Sequence, residues 1–225
     1  MSEDDGYPSG EDGRVLALEA RAASSSGGLQ SPSVARNKDV LRDAFYALVP
    51  DARRVLEIAS GTGEHAVHIA AARPDIRWTT SDPDPASRES IAAWIAARGE
   101  GRVEGPLSID ATAADWGVLG PFDALVAINM IHIAPIAACE GVFAGAAQLL
   151  RPAGRIFFYG PFSRNGVHSA PSNEEFDASL NRRDAAWGVR DLELDLGPIA
   201  AAQGFQLTDV RDMPANNLSV IFART

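Results

Sequence analysis

Hydrophobic and polar positions follow two patterns along the chain, and together they are typical of a parallel sheet with crossover helices. Short, nearly continuous apolar runs indicate central strands covered on both faces. Longer stretches with apolar residues at helical spacing indicate the helices between them. The apolar run Val55 to Ile58 leads into a glycine turn, and an alanine-rich stretch from Glu64 to Arg73 follows. This strand, turn and helix form the unit relative to which the other elements are placed.

The remaining elements follow from the same reading. A helix over 33–48 is predicted before the sheet, because its apolar positions recur at helical spacing and Pro50 closes it. Later strands are predicted over 76–82, 103–109, 122–129 and 155–159. Later helices are predicted over 86–97, 136–150 and 192–202. Residues 172–175 read as a further helix start, with Ser172 as the N-cap and acids in the first turn.

The last two strands decide how the sheet closes. They are predicted over 205–211 and 218–223, and only six residues, 212–217, separate them. Because no crossover helix fits in that space, the final strand must return antiparallel. The pattern predicts an α/β protein with a seven-stranded, mostly parallel sheet, an antiparallel last strand and helices on both faces.

Composition narrows the class of protein. At 225 residues, one domain is expected, with an acidic, flexible N-terminal segment over 1–33 and the folded domain over 34–225. The net charge of −10 argues against a nucleic acid partner, which would need a basic surface. The single cysteine, Cys139, excludes an intramolecular disulfide. No signal peptide or membrane-spanning run is present, so a cytoplasmic protein with no membrane partner is expected. No pattern specifies an oligomeric state.

The glycine turn indicates a ligand cleft. Gly61 and Gly63 allow a tight turn and a close approach of a ligand to the backbone. Asp82 ends the next strand, where a carboxylate that binds a ribose diol belongs. Both nicotinamide dinucleotides and S-adenosylmethionine present such a diol, and a helix start or a turn without ligand also fits these residues.

Glu57 distinguishes between the two cofactors. It lies at the strand end, four residues before the first glycine. A carboxylate there repels a pyrophosphate, whereas it attracts a ligand that carries an ammonium and a sulfonium group. The spacing therefore favours S-adenosylmethionine over a nicotinamide cofactor.

Other polar residues fall on the same edge of the predicted sheet, because the carboxyl ends of parallel strands meet there. Asp110 follows the third strand and is placed to accept the adenine amine, and Asn129 follows the fourth. Arg36 and Asn37 begin the first helix, and they either form a solvated turn or fold over the cleft to hold a carboxylate.

Three residues are candidates for a general base that would deprotonate an acceptor. His132 lies three residues beyond the fourth strand, so it is the first candidate, although it also fits a structural hydrogen bond to a loop. His168 and Asp177 fall in a polar and aromatic stretch over 163–190 that suggests a lid or an acceptor pocket. His65 and His68 have no third ligand, so no metal site is predicted.

Several longer motifs carry a family resemblance from about residue 34 to the C-terminus. With these residues the chain resembles Rossmann-like class I S-adenosylmethionine-dependent methyltransferases, and more closely a methyltransferase-like family of bacteria and animals. The motifs that carry it include residues 35–38, 55–65, 81–84, 128–135, 159–162, 171–173, 176–180, 187–191 and 213–217. The resemblance implies that Glu57, Gly61, Asp82 and Asp110 lie on the cofactor.

The sequence thus predicts an S-adenosylmethionine-dependent methyltransferase that acts on an oxygen, nitrogen or sulfur atom of a small molecule. A nicotinamide-dependent oxidoreductase and a non-catalytic S-adenosylmethionine-binding protein remain as alternatives. The predicted cofactor-binding residues are Arg36, Asn37, Glu57, Ala59, Ser60, Gly61, Thr62, Gly63, His65, Asp82, Pro83, Asp110, Ala111, Asn129 and Met130.

Overall fold

A computed structural model describes residues 20–225 of the chain. Its strands are β1 (Ala22–Ala23), β2 (Leu29–Gln30), β3 (Arg54–Ile58), β4 (Arg77–Ser81), β5 (Val103–Leu107), β6 (Phe122–Ile128), β7 (Leu150–Gly160), β8 (Phe162–Arg164), β9 (Val167–His168), β10 (Arg190–Asp191), β11 (Phe205–Met213) and β12 (Asn217–Arg224). Its α-helices are α1 (Pro32–Leu48), α2 (Glu64–Ala71), α3 (Pro85–Arg98), α4 (Ile136–Leu149), α5 (Pro171–Arg183) and α6 (Gly197–Ala202).

The central sheet has seven strands in the order β11-β12-β7-β6-β3-β4-β5. The five strands from β7 to β5 pair in parallel, and β12 pairs antiparallel with both β7 and β11. A short 3₁₀ turn, Pro214–Asn216, joins the last two strands. The predicted fold class and the antiparallel closing strand are therefore confirmed.

Both faces of the sheet are covered, which explains the continuous apolar runs in its central strands. On one face Leu56 and Phe158 pack in a cluster with Phe143 of α4. On the other face Trp78 and Phe157 pack against Phe45 of α1, with ring centroids 5.2 and 5.5 Å from that of Phe45. The middles of the central strands are therefore mainly apolar, and the polar side chains that differ from strand to strand lie at their carboxyl ends.

Several element boundaries differ from the sequence prediction by a few residues, and two of these differences have a local cause. The helix predicted to start at Ser172 begins earlier, at Pro171, which leaves Ala170 in the N-cap position without a side-chain cap. The helix predicted over 192–202 is a π-helical turn, Leu192–Leu196, followed by α6. The Asp191 side chain caps that turn by accepting hydrogen bonds from the next backbone N–H groups.

Residues 20–31 form a short hairpin that packs on α3. The Leu29 N–H donates to Ser90 Oγ at 2.7 Å, and Trp94 Nε1 donates to the Leu29 carbonyl at 2.9 Å. Gly28 lies so close that a Cβ there would be 2.5 Å from the Trp94 ring. This part of the predicted flexible segment is attached to the domain, and its first 19 residues lie outside the described ones.

Candidate functional site

A chamber of about 320 Å³ opens at the carboxyl ends of β3, β4, β5 and β6. We call it the first chamber. Loops at this edge of a parallel sheet are the usual place for a ligand. The chamber brings together twelve of the fifteen predicted cofactor-binding residues, namely Glu57, Ala59, Ser60, Gly61, Thr62, His65, Asp82, Pro83, Asp110, Ala111, Asn129 and Met130.

Glu57 is a buried carboxylate on the wall of the first chamber. Glu57 is only 1% exposed, and its Oε2 accepts a hydrogen bond of 2.9 Å from Trp78 Nε1. Burial raises the pKa of Glu57 to about 7, although the hydrogen bonds from Trp78 and Ser60 oppose this shift. Among residues 20–225, no cationic side chain contributes to the pKa of this carboxylate. A cationic ligand would therefore stabilise its ionised form.

Asp82 lies across the glycine turn from Glu57. Its Oδ2 accepts from the Gly61 N–H at 2.9 Å, and its Oδ1 accepts from the Asp84 N–H at 3.0 Å. Each oxygen retains a second lone pair, which suits a ribose diol. Burial raises the pKa of Asp82 to about 6. The neighbouring Asp84 caps α3 by accepting from the Ser87 N–H at 2.7 Å, so the cap role is filled by a different acid.

The turn between these acids departs from ordinary backbone geometry. Gly61 and Gly63 have φ of 60° and 88°, and the non-glycine residues Ala59 and Asn129, which follow neighbouring strands, have φ of 54° and 52°. Left-handed non-glycine residues are strained and often mark functional sites. Gly63 does not line the chamber: a Cβ there would lie 2.9 Å from Ile91 Cα, so this glycine serves the packing of α2 on α3.

Asp110 lines the first chamber from its exposed rim. Its Oδ1 accepts two hydrogen bonds of 2.8 Å, from the Thr112 N–H and the Thr112 hydroxyl. Its other carboxylate oxygen takes part in neither bond. Asp110 can therefore stabilise the local turn with one carboxylate oxygen and contact a ligand with the other.

A second chamber of about 560 Å³ adjoins the first and shares five lining residues with it, namely Arg21, Ser31, Ser33, Asn129 and Ile133. Its walls come from the start of α1, the end of β7, α5 and the turn before β12. Arg36 and Asn37 line this chamber and are absent from the first, so the structure separates them from the other predicted cofactor-binding residues.

His132 lies on the wall of the second chamber, in the 3₁₀ turn Ile131–Ile133 after β6. The turn is held by Arg190, whose Nε donates to the Ile131 carbonyl at 3.1 Å. The imidazole meets the Phe176 ring edge-on, with centroids 5.6 Å apart. Burial, and then the charge of Arg190, lower the pKa of His132 to about 3. The ring is therefore neutral at physiological pH and is a weak base.

His168 and Asp177 line neither chamber. His168 Nε2 lies 3.6 Å from Asp177 Oδ2, and Asp177 Oδ1 accepts from the Val189 N–H at 2.7 Å. This carboxylate thus fastens the loop after α5 to the helix. The structure does not bring these two predicted base candidates to the site.

A chain of side chains connects the two chambers. His65 Nε2 and Asn37 Oδ1 are 2.8 Å apart, and burial lowers the pKa of His65 to about 3. A neutral His65 donates a hydrogen bond to this oxygen. The NH₂ group of the Asn37 amide then faces the Tyr159 hydroxyl, which is the second partner of Asn37. Asn217 Nδ2 also donates to Tyr159 Oη, at 3.4 Å.

Several chamber residues were missed at the sequence level. Tyr159 ends β7 at the same edge as the predicted acids, so the strand-end argument would have found it. Asn217 and Phe176 come from the closing hairpin and from α5, and only the folded arrangement places them there. Arg21 lines both chambers from the N-terminal hairpin, which no motif indicated.

Two features are absent from residues 20–225. No three or more His, Cys, Asp or Glu side chains there are grouped so that they could hold a metal ion. No helix in that range combines the length and the apolar character needed to cross a bilayer.

Several solved structures with the same fold are methyltransferases. The mitomycin 7-O-methyltransferase MmcR has a TM-score of 0.71 at 16% identity, covering 86% of this chain and 54% of its own. The S-adenosylmethionine-dependent methyltransferase SibL has a TM-score of 0.66 at 20% identity, and the match covers 85% of this chain and 55% of SibL. An O-methyltransferase family 2 protein from Planctomyces limnophilus, in complex with apigenin, has a TM-score of 0.68 at 17% identity, and the match covers 86% of this chain and 60% of that protein.

At these identities the likeness establishes the class I methyltransferase fold, and the chain spans little more than half the length of those proteins. A family model gives the closer relationship. The model described as "Protein of unknown function (DUF938)" matches residues 29–224, which include the whole central sheet and every lining residue of the two chambers except Arg21. The chain therefore belongs to the DUF938 family.

Proposed function

We propose that the protein is an S-adenosylmethionine-dependent methyltransferase that acts on a small molecule. The observation that carries the proposal is the pair of buried carboxylates, Glu57 and Asp82, on either side of the glycine turn in the first chamber. One suits a cation and the other a ribose diol. The similarity in fold to S-adenosylmethionine-dependent methyltransferases supports the same cofactor.

The rest of the first chamber fits the remainder of that cofactor. Asp110 offers an acceptor to an adenine amine, and Ile109 and Ala111 offer apolar contacts beside it. The Gly61 backbone lines the chamber, and a Cβ there would meet only the Arg21 guanidinium, at 3.7 Å. The adjoining second chamber is then the acceptor site, and Asn129, which belongs to both, lies at the boundary where a methyl group passes from one to the other.

Holding two reactants in line is the main contribution expected of the protein. The cofactor supplies an electrophilic methyl group on a sulfonium. The neutral His132 imidazole, beside the shared Asn129, is proposed to orient the acceptor. Gly160 lies beside both side chains, because a Cβ there would be in contact with Asn129 Oδ1 and His132 Nδ1, each at 3.4 Å.

A nicotinamide-dependent oxidoreductase is the second candidate, and Glu57 argues against it. A buried carboxylate whose pKa is already raised by burial would be destabilised further by a pyrophosphate beside it. A thermal-shift panel separates the two. S-adenosylhomocysteine is expected to stabilise the protein by about 2.7 kcal/mol at a hundredfold excess over its Kd, and NADH is expected to have no effect. The opposite result would overturn the proposal.

Turnover distinguishes an enzyme from a cofactor-binding protein without activity. The protein is incubated with methyl-labelled S-adenosylmethionine and a small-molecule extract, and labelled products are identified by mass spectrometry. We expect label in a small molecule and an equal amount of S-adenosylhomocysteine. Binding without any labelled product would identify a non-catalytic S-adenosylmethionine-binding protein.

The affinity for S-adenosylhomocysteine should depend on pH through Glu57. Its pKa is about 7 in the free protein, so the carboxylate that attracts the ligand's ammonium group is mostly ionised at pH 8 and mostly protonated at pH 6. We expect the affinity to fall roughly tenfold between pH 8 and pH 6. Isothermal titration calorimetry across this range tests the expectation, and an affinity that does not change would remove the assigned role of Glu57.

A further inference from the structure

The second chamber has walls that favour an anion. Among residues 20–225, its lining includes the cationic residues Arg36 and Arg21, the latter also donating to Ser87 Oγ at 3.3 Å, and the amides of Asn37, Asn129 and Asn217, with no aspartate or glutamate. The whole sequence has 30 acidic and 20 basic residues, so a carboxylate-free chamber contrasts with its overall charge. A negatively charged molecule meets no like charge on these walls.

Tyr159 lines this chamber, and its hydroxyl can donate a hydrogen bond. Asn37 and Asn217 both donate to its oxygen, so its lone pairs are engaged and its O–H group remains to donate. His65 fixes the orientation of the Asn37 amide through its Oδ1. Because Tyr159 is only 3% exposed, this donor is held in a buried position. It suits an oxygen that carries negative charge.

None of the chamber-lining residues that the structure describes can accept a proton near neutral pH. The pKa of His132 is lowered to about 3, and that of Tyr159 is raised by burial. Arg190 on β10 faces the His132 turn and lowers this pKa further, while Phe176 and Gly160 pack beside the ring without charge. An alcohol or an ammonium group would need such a base, whereas a carboxylic acid is already ionised.

We propose that the second chamber binds a small carboxylic acid and that its carboxylate oxygen accepts the methyl group, giving a methyl ester. The inference rests on the proposed function and specifies its substrate class. An oxygen–carbon bond forms as the carbon–sulfur bond breaks, and the bonding electron pair passes to sulfur. The charges of the carboxylate and the sulfonium cancel, so no proton is transferred. The body of the acid packs on the apolar wall of Ile133, Phe176 and Pro214.

The chemical stability of the labelled product tests this class of substrate. The full chain is incubated with methyl-labelled S-adenosylmethionine and a small-molecule extract, and the product is treated with mild alkali. A methyl ester is expected to release its label as volatile methanol. Label that stays in an alkali-stable ether, amine or thioether would overturn the ester proposal and leave the methyltransferase proposal standing. Absence of any S-adenosylhomocysteine binding would remove both.

A second arm tests the residues. Tyr159→Phe is expected to raise KM for the labelled acid about tenfold, with the Kd for S-adenosylhomocysteine within twofold of that of the natural protein. Tyr46→Phe is the matched control, because the Tyr46 hydroxyl donates to the Ile69 carbonyl outside both chambers. At saturating cofactor, kcat should be constant from pH 7 to pH 9. A KM unchanged by Tyr159→Phe, or a kcat that follows a single titration in this range, would contradict the proposal.

Discussion

Replacing Asp82 with asparagine is expected to weaken the binding of S-adenosylhomocysteine by at least about 100-fold. The carboxylate accepts hydrogen bonds from the Gly61 and Asp84 N–H groups and keeps lone pairs for the ribose hydroxyls. An asparagine NH₂ accepts neither kind of bond. Each hydrogen bond to a charged group contributes about 1.5–3 kcal/mol, so the loss of one ribose bond and the weakening of the other, which is left with a neutral amide oxygen, account for this factor. Isothermal titration calorimetry at pH 8 measures it.

The control for Asp82→Asn is Asp209→Asn, which makes the same change at an exposed position of β11. It should bind S-adenosylhomocysteine as the natural protein does. Circular dichroism establishes whether the Asp82 variant retains its fold, since the turn loses an acceptor as well. If a folded Asp82→Asn protein binds with unchanged affinity, the ribose assignment is wrong.

Replacing Glu57 with glutamine is expected to change stability and binding in opposite directions. The pKa of Glu57 is raised from 4.5 to about 7 on folding, which corresponds to as much as about 3 kcal/mol of destabilisation above pH 7. Removing the charge relieves this cost, so the ligand-free variant should melt about 5 °C or more above the natural protein at pH 8. Its affinity for S-adenosylhomocysteine should fall at least tenfold, because the partner of the ammonium group is lost.

The sign of the stability effect follows from the raised pKa. The natural protein is free of this cost below pH 4.5 and acquires it as the pH rises to about 7. The melting temperatures of Glu57→Gln and the natural protein should therefore converge towards pH 5 and separate towards pH 8. Glu175→Gln, an exposed change on α5, should show no such dependence. The difference in melting temperature between Glu57→Gln and the natural protein should be larger at pH 8 than at pH 5. A difference that is smaller at pH 8 would refute this account.

Sequence reasoning worked best where one local pattern determines one element. The buried runs of β3 and β6 and the short connection before β12 were enough to predict the sheet and its antiparallel closure. It was less successful for the helix after Ala170, since the Ser172 pattern gave a capping signal that the proline one residue earlier overrode. Helix starts depend on backbone geometry that several neighbouring residues influence together.

The site shows the same division. Glu57, Asp82 and Asp110 could be predicted because strand ends of a parallel sheet share one edge. The separation of Arg36 and Asn37 from the first chamber depends on how α1 packs beside β7, and no spacing in the sequence encodes that distance. The weak basicity of His132 also requires the fold, because it results from burial and from Arg190, 58 positions away in the chain.

The two buried carboxylates of the first chamber would also tie the lifetime of the chain to the proposed cofactor. Glu57 and Asp82 are both held at raised pKa values, so the ligand-free fold carries an electrostatic cost, and the cationic group of a bound ligand relieves the part that falls on Glu57. Proteases degrade chains according to how often they open, and a cost of this size increases opening. When S-adenosylmethionine is scarce, the cell should therefore hold less of this protein as well as a less active one.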